Sequence, residues 1–194
     1  MKNKVQQITS KGLSTRERIV EAARKQLVEQ GYDQFVMREL ADVLGIKLGN
    51  LQYYFKTREA LILHVIEAES ARDILTIHAQ QQRRISAEEV FRAIVQDLVE
   101  RWRGDSGLLF STLGTLSLHN KAYKRLYLAV YADFYRALEG PLRDLNPTIS
   151  DEEVALRVRL ITALIDGSPM QTGIGSVEDF LNRVQAQAEI IALA

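Results

Sequence analysis

Hydrophobic positions recur every three or four residues along almost the whole chain, and this period predicts α-helices. In the N-terminal part the predicted helices lie over residues 15–30, 37–44 and 48–54. Gly31 and Gly45 follow the first two, at positions where glycine ends helices by adopting a left-handed conformation. Two short helices joined by a tight glycine turn are typical of a helix-turn-helix unit.

The same period continues towards the C-terminus. It predicts further helices over residues 58–83, 86–103, 108–119, 121–139, 151–167 and 177–192. Residues 104–107 read as a loop, and Pro141 should end or kink the helix before it. Capping-box patterns occur at Ser14–Glu17 and Ser86–Glu89. Because no segment alternates as a strand does, we predict an all-α fold with about nine helices.

This pattern divides the chain into three parts. Residues 1–13 lack periodicity, contain three lysines, and are expected to form a flexible tail. Residues 14–57 form the predicted helix-turn-helix domain, and residues 58–194 form a larger helical domain. The division places the short helices and their turn close to the N-terminus.

Composition excludes several classes of protein. Apolar residues make up 46% of the chain and charged residues 26%, as in ordinary globular proteins. There is no cysteine, so disulfides and thiol-based metal sites are excluded, and the three histidines lie far apart. No apolar run is long enough for a membrane span, and no secretory signal is visible. We expect a cytoplasmic protein without a cofactor.

The net charge of zero conceals an asymmetry along the chain. Residues 1–60 contain 11 Lys or Arg and 7 Asp or Glu, a net charge of +4, and residues 61–194 carry the opposite net charge of −4. A basic N-terminal part suggests a site for a polyanion at that end. Charge alone leaves chance clustering as the alternative.

The side chains around the third predicted helix suit contact with DNA. Leu51 and Phe55 are expected to face the core, whereas Asn50 and Gln52 can hydrogen-bond base edges. Lys47 could reach guanine or a phosphate. Four further side chains could donate hydrogen bonds to phosphate oxygens, at Tyr53, Tyr54, Lys56 and Thr57. Judged from these residues alone, core tyrosines with a solvated polar face are an equally good interpretation.

A longer stretch makes this interpretation specific. The segment "RERIVEAARKQLVEQGYDQFVMRELADVLGIKLGNLQYYFKTREAL" resembles the N-terminal DNA-binding domain of the TetR (tetracycline repressor) family. "TALIDG", at residues 162–167, resembles that family more loosely. The resemblance implies a homodimeric transcriptional regulator, usually a repressor of a palindromic operator, with a C-terminal domain that dimerises and binds an effector. By position, it places Lys47, Leu48, Asn50, Gln52, Tyr53 and Tyr54 against DNA, with Lys56 on its backbone.

The chain departs from the family pattern near this helix. Val36 stands where members commonly have a threonine that caps the second helix, a loss of about 1 kcal/mol. The basic residue commonly found at Leu48 is shifted to Lys47, so Leu48 should pack or touch a thymine methyl. Gly49 lies inside the helix, where glycine costs about 1 kcal/mol, which is understandable if the backbone must approach another surface.

The family resemblance also implies a dimer interface on the last two helices. Both carry wide apolar faces, which must be covered. We predict an isologous homodimer through Val154, Val158, Ile161, Ile165, Phe180, Leu181, Val184 and Ala188. The alternative is that both helices are internal to a monomer.

A small apolar or amphipathic effector is expected in the C-terminal domain. Its candidate contacts are aromatic residues and one histidine, at Trp102, Phe110, Tyr123, Tyr127, Tyr131, Phe134 and His64. Aromatic residues at helical spacing also occur as plain core. Arg101 and Arg103, beside Trp102, could bind an anionic ligand or lie in water.

Other classes of function receive less support. The chain has no phosphate-binding loop, zinc-site spacing or nucleophile motif, so we do not expect an enzyme. A regulator that responds to a protein partner is the alternative, favoured if the C-terminal core is fully packed. A cavity of several hundred Å³ would instead favour an effector. Activation in place of repression also stays open.

Overall fold

The computed structural model describes residues 14–194, and the tail predicted over residues 1–13 lies outside this part. The described residues form nine α-helices and no strand, which confirms the all-α prediction. The helices are α1 (Thr15–Gln30), α2 (Met37–Val43), α3 (Leu48–Tyr54), α4 (Arg58–Gln81), α5 (Ala87–Arg103), α6 (Asp105–Ser117), α7 (Lys121–Leu145), α8 (Asp151–Gly167) and α9 (Val177–Leu193).

Both predicted capping boxes are present. The Ser14 N–H donates to the Glu17 carboxylate at 2.7 Å, and the Glu17 N–H donates to the Ser14 hydroxyl at 3.3 Å. Ser86 and Glu89 repeat this exchange at the start of α5. Val36 precedes α2 without a side-chain cap, as the sequence predicts.

Two predicted helix boundaries are wrong. Residues 104–107 are not a loop, because α6 begins at Asp105 and only Gly104 separates it from α5. The helix α7 continues through Pro141 to Leu145 instead of ending after residue 139. Proline lacks the N–H that an inner turn needs, but Pro141 and Leu142 are buried, and their packing compensates for the missing bond.

The chain divides into two compact units, with the boundary between Val65 and Ile66 inside α4. The N-terminal unit contains α1, α2, α3 and the start of α4. Its core consists of Ile19, Val20, Ala23, Leu27, Phe35, Leu40, Ala41, Leu51, Phe55, Leu61, Ile62 and Val65, all buried. The helix-turn-helix is therefore built on a core of its own.

In the C-terminal unit, from Ile66 to Ala194, α5 packs against α6, α7, α8 and α9. The helices α8 and α9 also pack on each other and on α7. Within residues 14–194, no helix is both long and apolar enough to cross a membrane.

Candidate nucleic-acid interface and ligand groove

The helix α3 has one buried side and one exposed side. Leu51 and Phe55 are buried in the N-terminal unit, as predicted. The side chains predicted to meet DNA lie outside this core. Lys47, Asn50, Gln52, Tyr53, Lys56 and Thr57 are exposed, and Leu48 and Tyr54 are half-buried. Tyr53 is 82% exposed, which makes it a surface residue and excludes a core role.

Two glycines shape the approach to α3. Gly45 has φ = 66°, a left-handed conformation that turns the chain between α2 and α3. Gly49 lies within α3, and a Cβ atom placed there would meet nothing within 4 Å. The backbone at Gly49 is therefore open to a second surface from outside.

Three side chains with hydroxyl groups lie near the end of α3, at Tyr53, Tyr54 and Thr57. The Thr57 hydroxyl accepts a hydrogen bond from the Ala60 N–H at 3.1 Å, which caps the start of α4 and leaves the hydroxyl hydrogen available. The Tyr53 ring meets the Tyr54 ring edge to face, with 5.3 Å between centroids. All three side chains can supply O–H donors to an acidic partner.

His64 belongs to the N-terminal unit. Its Nε2 atom lies 2.9 Å from Nη1 of Arg16, so His64 accepts a hydrogen bond there. Its ring lies 5.5 Å from that of Phe55, over which the Arg16 guanidinium also sits at 5.1 Å. These contacts give His64 a role in holding α1, α4 and the residue after α3 together, in place of the predicted effector contact.

Most of the aromatic residues predicted to line an effector pocket are packed core. The Trp102 and Phe110 rings are stacked at 4.8 Å, and Phe110 meets Tyr131 edge to face. The space left between these rings and Phe134 is about 10 Å³, too small for more than one water molecule. Tyr123 is fully buried. These rings therefore pack against one another and leave no room for an effector between them.

A groove of about 330 Å³ lies between α7 and α8, and two of the predicted residues, Tyr127 and Tyr131, line it. We call it the tyrosine groove. It is lined by Tyr127, Tyr131, Tyr135, Leu156, Arg159, Leu160, Thr162, Ala163 and Asp166. The Tyr131 hydroxyl donates to Oδ2 of Asp166 at 2.6 Å. Burial raises the pKa of Asp166 to about 7, against the lowering effect of this hydrogen bond.

A buried charge network links α4, α5 and α6. The Arg101 Nε donates to Oδ1 of Asp73 at 2.5 Å, and its Nη2 donates to Oε1 of Glu69 at 3.1 Å. The Ser106 hydroxyl donates to the same Glu69 oxygen at 2.6 Å. Burial raises the pKa of Asp73 to about 6, although the Arg101 charge lowers it. Arg101 is therefore only partly exposed, and it pairs with two carboxylates of its own chain.

The side chains predicted for a dimer interface are buried within their own chain, apart from the half-buried Phe180. Val154, Val158, Ile161, Ile165, Leu181, Val184 and Ala188 are each at most 5% exposed. These side chains pack within their own chain and offer little surface to a second copy. The apolar side chains left on the surface of these helices are Leu156 and Leu160 on α8, with Ile190 and Leu193 on α9.

The exposed face of α3, the glycine turn before it and the separate helical unit define a class of protein, the helix-turn-helix regulators of transcription. Comparison with known proteins makes the assignment more specific. Residues 19–65 match the family model described as "Bacterial regulatory proteins, tetR family". The match covers most of the N-terminal unit, and it supports a DNA-binding transcriptional regulator of the TetR type.

Relatives span most of the chain at low identity. The fatty acid metabolism regulator protein of Bacillus subtilis (strain 168) is 22% identical over 154 residues, which are 79% of each chain. A TetR transcription regulator from Haloarcula marismortui has the same fold, with a TM-score of 0.77, 17% identity, and coverage of 91% of this chain and 95% of that one. A transcriptional regulator from Saccharomonospora viridis, solved in complex with choline, gives a TM-score of 0.74, 20% identity, and coverage of 90% and 95%.

Proposed function

We propose that this regulator is a homodimeric repressor that binds a palindromic operator through α3 and is released by a small molecule bound in its C-terminal unit. The observation that carries the proposal is the one-sided character of α3. Its apolar side is buried, and its polar and aromatic side is open to solvent. A helix of this kind fits the major groove of B-DNA.

Each exposed side chain of α3 has a proposed partner. Asn50 and Gln52 hydrogen-bond base edges, adenine most favourably. Leu48 packs against a thymine methyl, and Lys47 reaches guanine or phosphate. Donors to phosphate oxygens come from Tyr53, Tyr54, Lys56 and Thr57. The open backbone at Gly49 allows the helix to lie close to the groove floor.

A second copy supplies the second recognition helix. Two such helices in a C₂ dimer meet successive major grooves about 34 Å apart on one side of B-DNA. We place the dimer contact on the exposed apolar side chains of α9, Ile190 and Leu193. Large apolar side chains that are exposed on a helix surface are typical of an interface.

The effector site is proposed in the C-terminal unit, at the tyrosine groove. Its volume of about 330 Å³ lies in the range of small-molecule sites, and a relative of the same fold is in complex with choline. Release requires that the effector bind the DNA-free conformation more tightly than the DNA-bound one. The helix α4 carries residues of both units and is the candidate link. The proposed location is the cytoplasm, where the operator is.

The DNA-binding part of the proposal can be tested with an operator selected from a random duplex pool by the purified protein. Lys56→Ala should weaken binding to all sequences and reduce the slope of log affinity against log salt by about 1. Lys124→Ala, which removes an equally exposed charge from α7, is the matched control and should change neither. Equal effects of both variants would contradict the assignment of α3.

Gly49→Ala separates DNA contact from folding. Alanine stabilises a helix interior by about 1 kcal/mol relative to glycine, and a Cβ meets no other atom at this position. The variant should therefore unfold at a higher temperature yet bind the operator more weakly, because the methyl group holds the backbone away from DNA. Unchanged operator affinity would show that the backbone of α3 makes no close approach.

The dimer is tested by sedimentation of an Ile190→Glu variant. A buried glutamate in an apolar interface is strongly unfavourable, so the variant should sediment as a monomer and lose operator affinity. Gln187→Glu, one turn away on α9, serves as the charge control. A native protein that sediments as a monomer at micromolar concentration would refute the proposal.

A further inference from the structure

The tyrosine groove brings three phenol rings and a buried carboxylate into one site. We propose that its ligand is an organic cation, an ammonium group carried on an apolar body. This inference rests on the proposed function, in which a small molecule bound in the C-terminal unit is the effector, and it specifies the chemistry of that molecule.

The rings of the groove form a continuous aromatic wall along α7. The centroids of Tyr127 and Tyr131 are 4.4 Å apart, and those of Tyr131 and Tyr135 are 5.8 Å apart. Tyrosine faces attract ammonium groups through the negative potential of the ring, and several rings around one cation are a recurrent way to bind it. On the α8 side, Leu156, Leu160 and Ala163 offer an apolar surface to the rest of the ligand.

Asp166 provides the charge that a cation requires. One of its oxygens, Oδ2, accepts the Tyr131 hydrogen bond, whereas Oδ1 is covered and accepts none. A buried carboxylate oxygen without a donor is unfavourable, and burial accordingly raises the pKa of this group to about 7. In the proposed complex a neighbouring ring has to turn so that an ammonium N–H can reach the covered Oδ1.

Charges of both signs lie around the groove. Asp73 is close enough to raise the pKa of Asp166 further, and its own Oδ2 is also buried without a hydrogen bond. Glu69 adds a third buried carboxylate. Arg101 contacts both Glu69 and Asp73, and Arg72 also pairs with Glu69 at 3.0 Å. Arg159 lines the groove but is exposed, so water screens its charge more than that of Asp166. Because arginines pair with Glu69 and Asp73, Asp166 is the charge at the groove that favours a cation.

Two alternatives for these features are weaker. No group of three His, Cys, Asp or Glu side chains within residues 14–194 could hold a metal ion, so the carboxylates do not make a metal site. A larger groove of about 520 Å³ lies between α5 and α9, but its lining is mainly charged and amide side chains without an aromatic ring. The tyrosine groove alone combines rings, apolar surface and a buried carboxylate among the grooves described here.

Three ligands that share one apolar group but differ in charge test the inference. Calorimetric titration of the intact protein would compare 4-phenylbutylamine, a cation, with the neutral 4-phenylbutanol and the anionic 4-phenylbutyrate. We expect the amine to bind about tenfold more tightly than the alcohol, as for one well-placed ionic contact, and the acid to bind more weakly than either. Binding of the alcohol or the acid as tight as that of the amine would overturn the inference.

Three variants test which residues cause the preference for the amine over the alcohol. Asp166→Asn keeps an acceptor for the Tyr131 hydroxyl but removes the charge, so the preference for the amine over the alcohol should disappear. Tyr135→Ala should weaken the amine several-fold by removing one ring. Glu178→Gln removes an exposed carboxylate outside the tyrosine groove and should leave the series unchanged. A preference that survives Asp166→Asn would place the cation elsewhere.

The pH dependence offers a second measurement. The groups around Asp166 are Tyr127, Tyr131 and Tyr135 from α7, Asp73 from α4 and Arg159 from α8. The amine stays charged below about pH 9, and the tyrosines keep their protons because burial raises the pKa of each. The affinity of the protein for the amine should therefore rise as Asp166 loses a proton between about pH 6 and pH 8. A flat profile would count against the carboxylate as partner.

The same samples distinguish this inference from the proposed function. If the amine binds as expected but leaves operator affinity unchanged, the cation site stands and release by an effector fails. If the protein binds its operator but shows no charge preference, the regulator stands and the cation inference fails. If the Ile190→Glu monomer binds the amine tenfold more tightly than the native protein, a second copy occupies the groove in the dimer. That outcome also overturns the inference.

Discussion

The Arg58 guanidinium lies flat over the Tyr32 ring, 4.0 Å from its centroid, and also donates to the Tyr32 carbonyl. A further hydrogen bond joins Arg58 Nε to the Phe35 carbonyl at 2.9 Å. One side chain at the first turn of α4 thus satisfies two carbonyl groups in the segment between α1 and α2. Arginine suits this position because its planar group can stack and donate at the same time.

Replacing Arg58 should loosen the N-terminal unit. Arg58→Met removes the Arg58 donor to the Phe35 carbonyl and one of two donors to the Tyr32 carbonyl, and we expect a loss of about 1–3 kcal/mol. Arg58→Lys should recover only part of it, since lysine cannot stack and donate twice. Faster amide exchange in peptides that cover residues 32–40 is the local readout. Lys56→Met removes a nearby exposed charge and is the control, and equal exchange in both variants would refute the role of Arg58.

Local signals in the sequence were enough to predict most of the fold. Two capping boxes, the period of apolar residues and Gly45 act within a few residues, so they can be recognised without tertiary information. The start of α6 could not be recognised in this way. Its residues are typical of a loop, and the burial of Ser106 with its hydrogen bond to Glu69 is a tertiary contact that the local sequence does not reveal.

The site was predictable to different degrees in the two units. In α3 the apolar and polar sides are distinct, so the period alone separates Leu51 from Gln52. In α8 the period of apolar residues reveals two apolar faces. Only tertiary packing decides that Val158 is buried and Leu160 exposed. The network around Arg101 was missed, although one signal exists. Glu69 and Asp73 continue the buried face formed earlier in α4 by Ile62 and Ile66, where apolar side chains are expected.

Arg101 should be among the residues most sensitive to substitution in the C-terminal unit. Arg101→Met leaves Glu69 and Asp73 buried without their shared cation, for which we expect a loss of about 3–5 kcal/mol. Urea unfolding followed by the fluorescence of Trp102, the single tryptophan, measures it. The loss should be smaller at about pH 5, where the raised pKa of Asp73 lets this group take up a proton. A loss below about 1 kcal/mol would mean that the network is solvated.

Asp166 should make stability depend on pH. Its folded-state pKa of about 7 lies above the ordinary value of 3.8. Between these values the unfolded chain releases a proton that the folded chain keeps, so the free energy of unfolding falls as pH rises to about 7 and is level above it. Asp166→Asn should therefore raise the melting temperature at about pH 8 and leave it nearly unchanged at about pH 4. Glu178→Gln is the control, and an equal shift at both pH values would contradict the assignment.

The close contact at Gly107 gives the sharpest prediction about packing. A Cβ atom there would lie 2.0 Å from the Trp102 carbonyl oxygen and 2.6 Å from Cγ of Pro169. Neither backbone nor a proline ring can turn aside, so Gly107→Ala should cost about 3 kcal/mol or more despite the better helix propensity of alanine.

Gly114, in the same helix, is the matched control because a Cβ placed there meets nothing within 4 Å. Gly114→Ala should stabilise the protein by up to about 1 kcal/mol. Urea unfolding of the two variants, followed by Trp102 fluorescence, should therefore show opposite shifts of the midpoint. Both variants share one helix and one chemical change, so opposite signs isolate the contact at Gly107. A stabilised Gly107→Ala would mean that α6 can move away from α5 and Pro169 without loss, and the start of α6 would then be loosely packed.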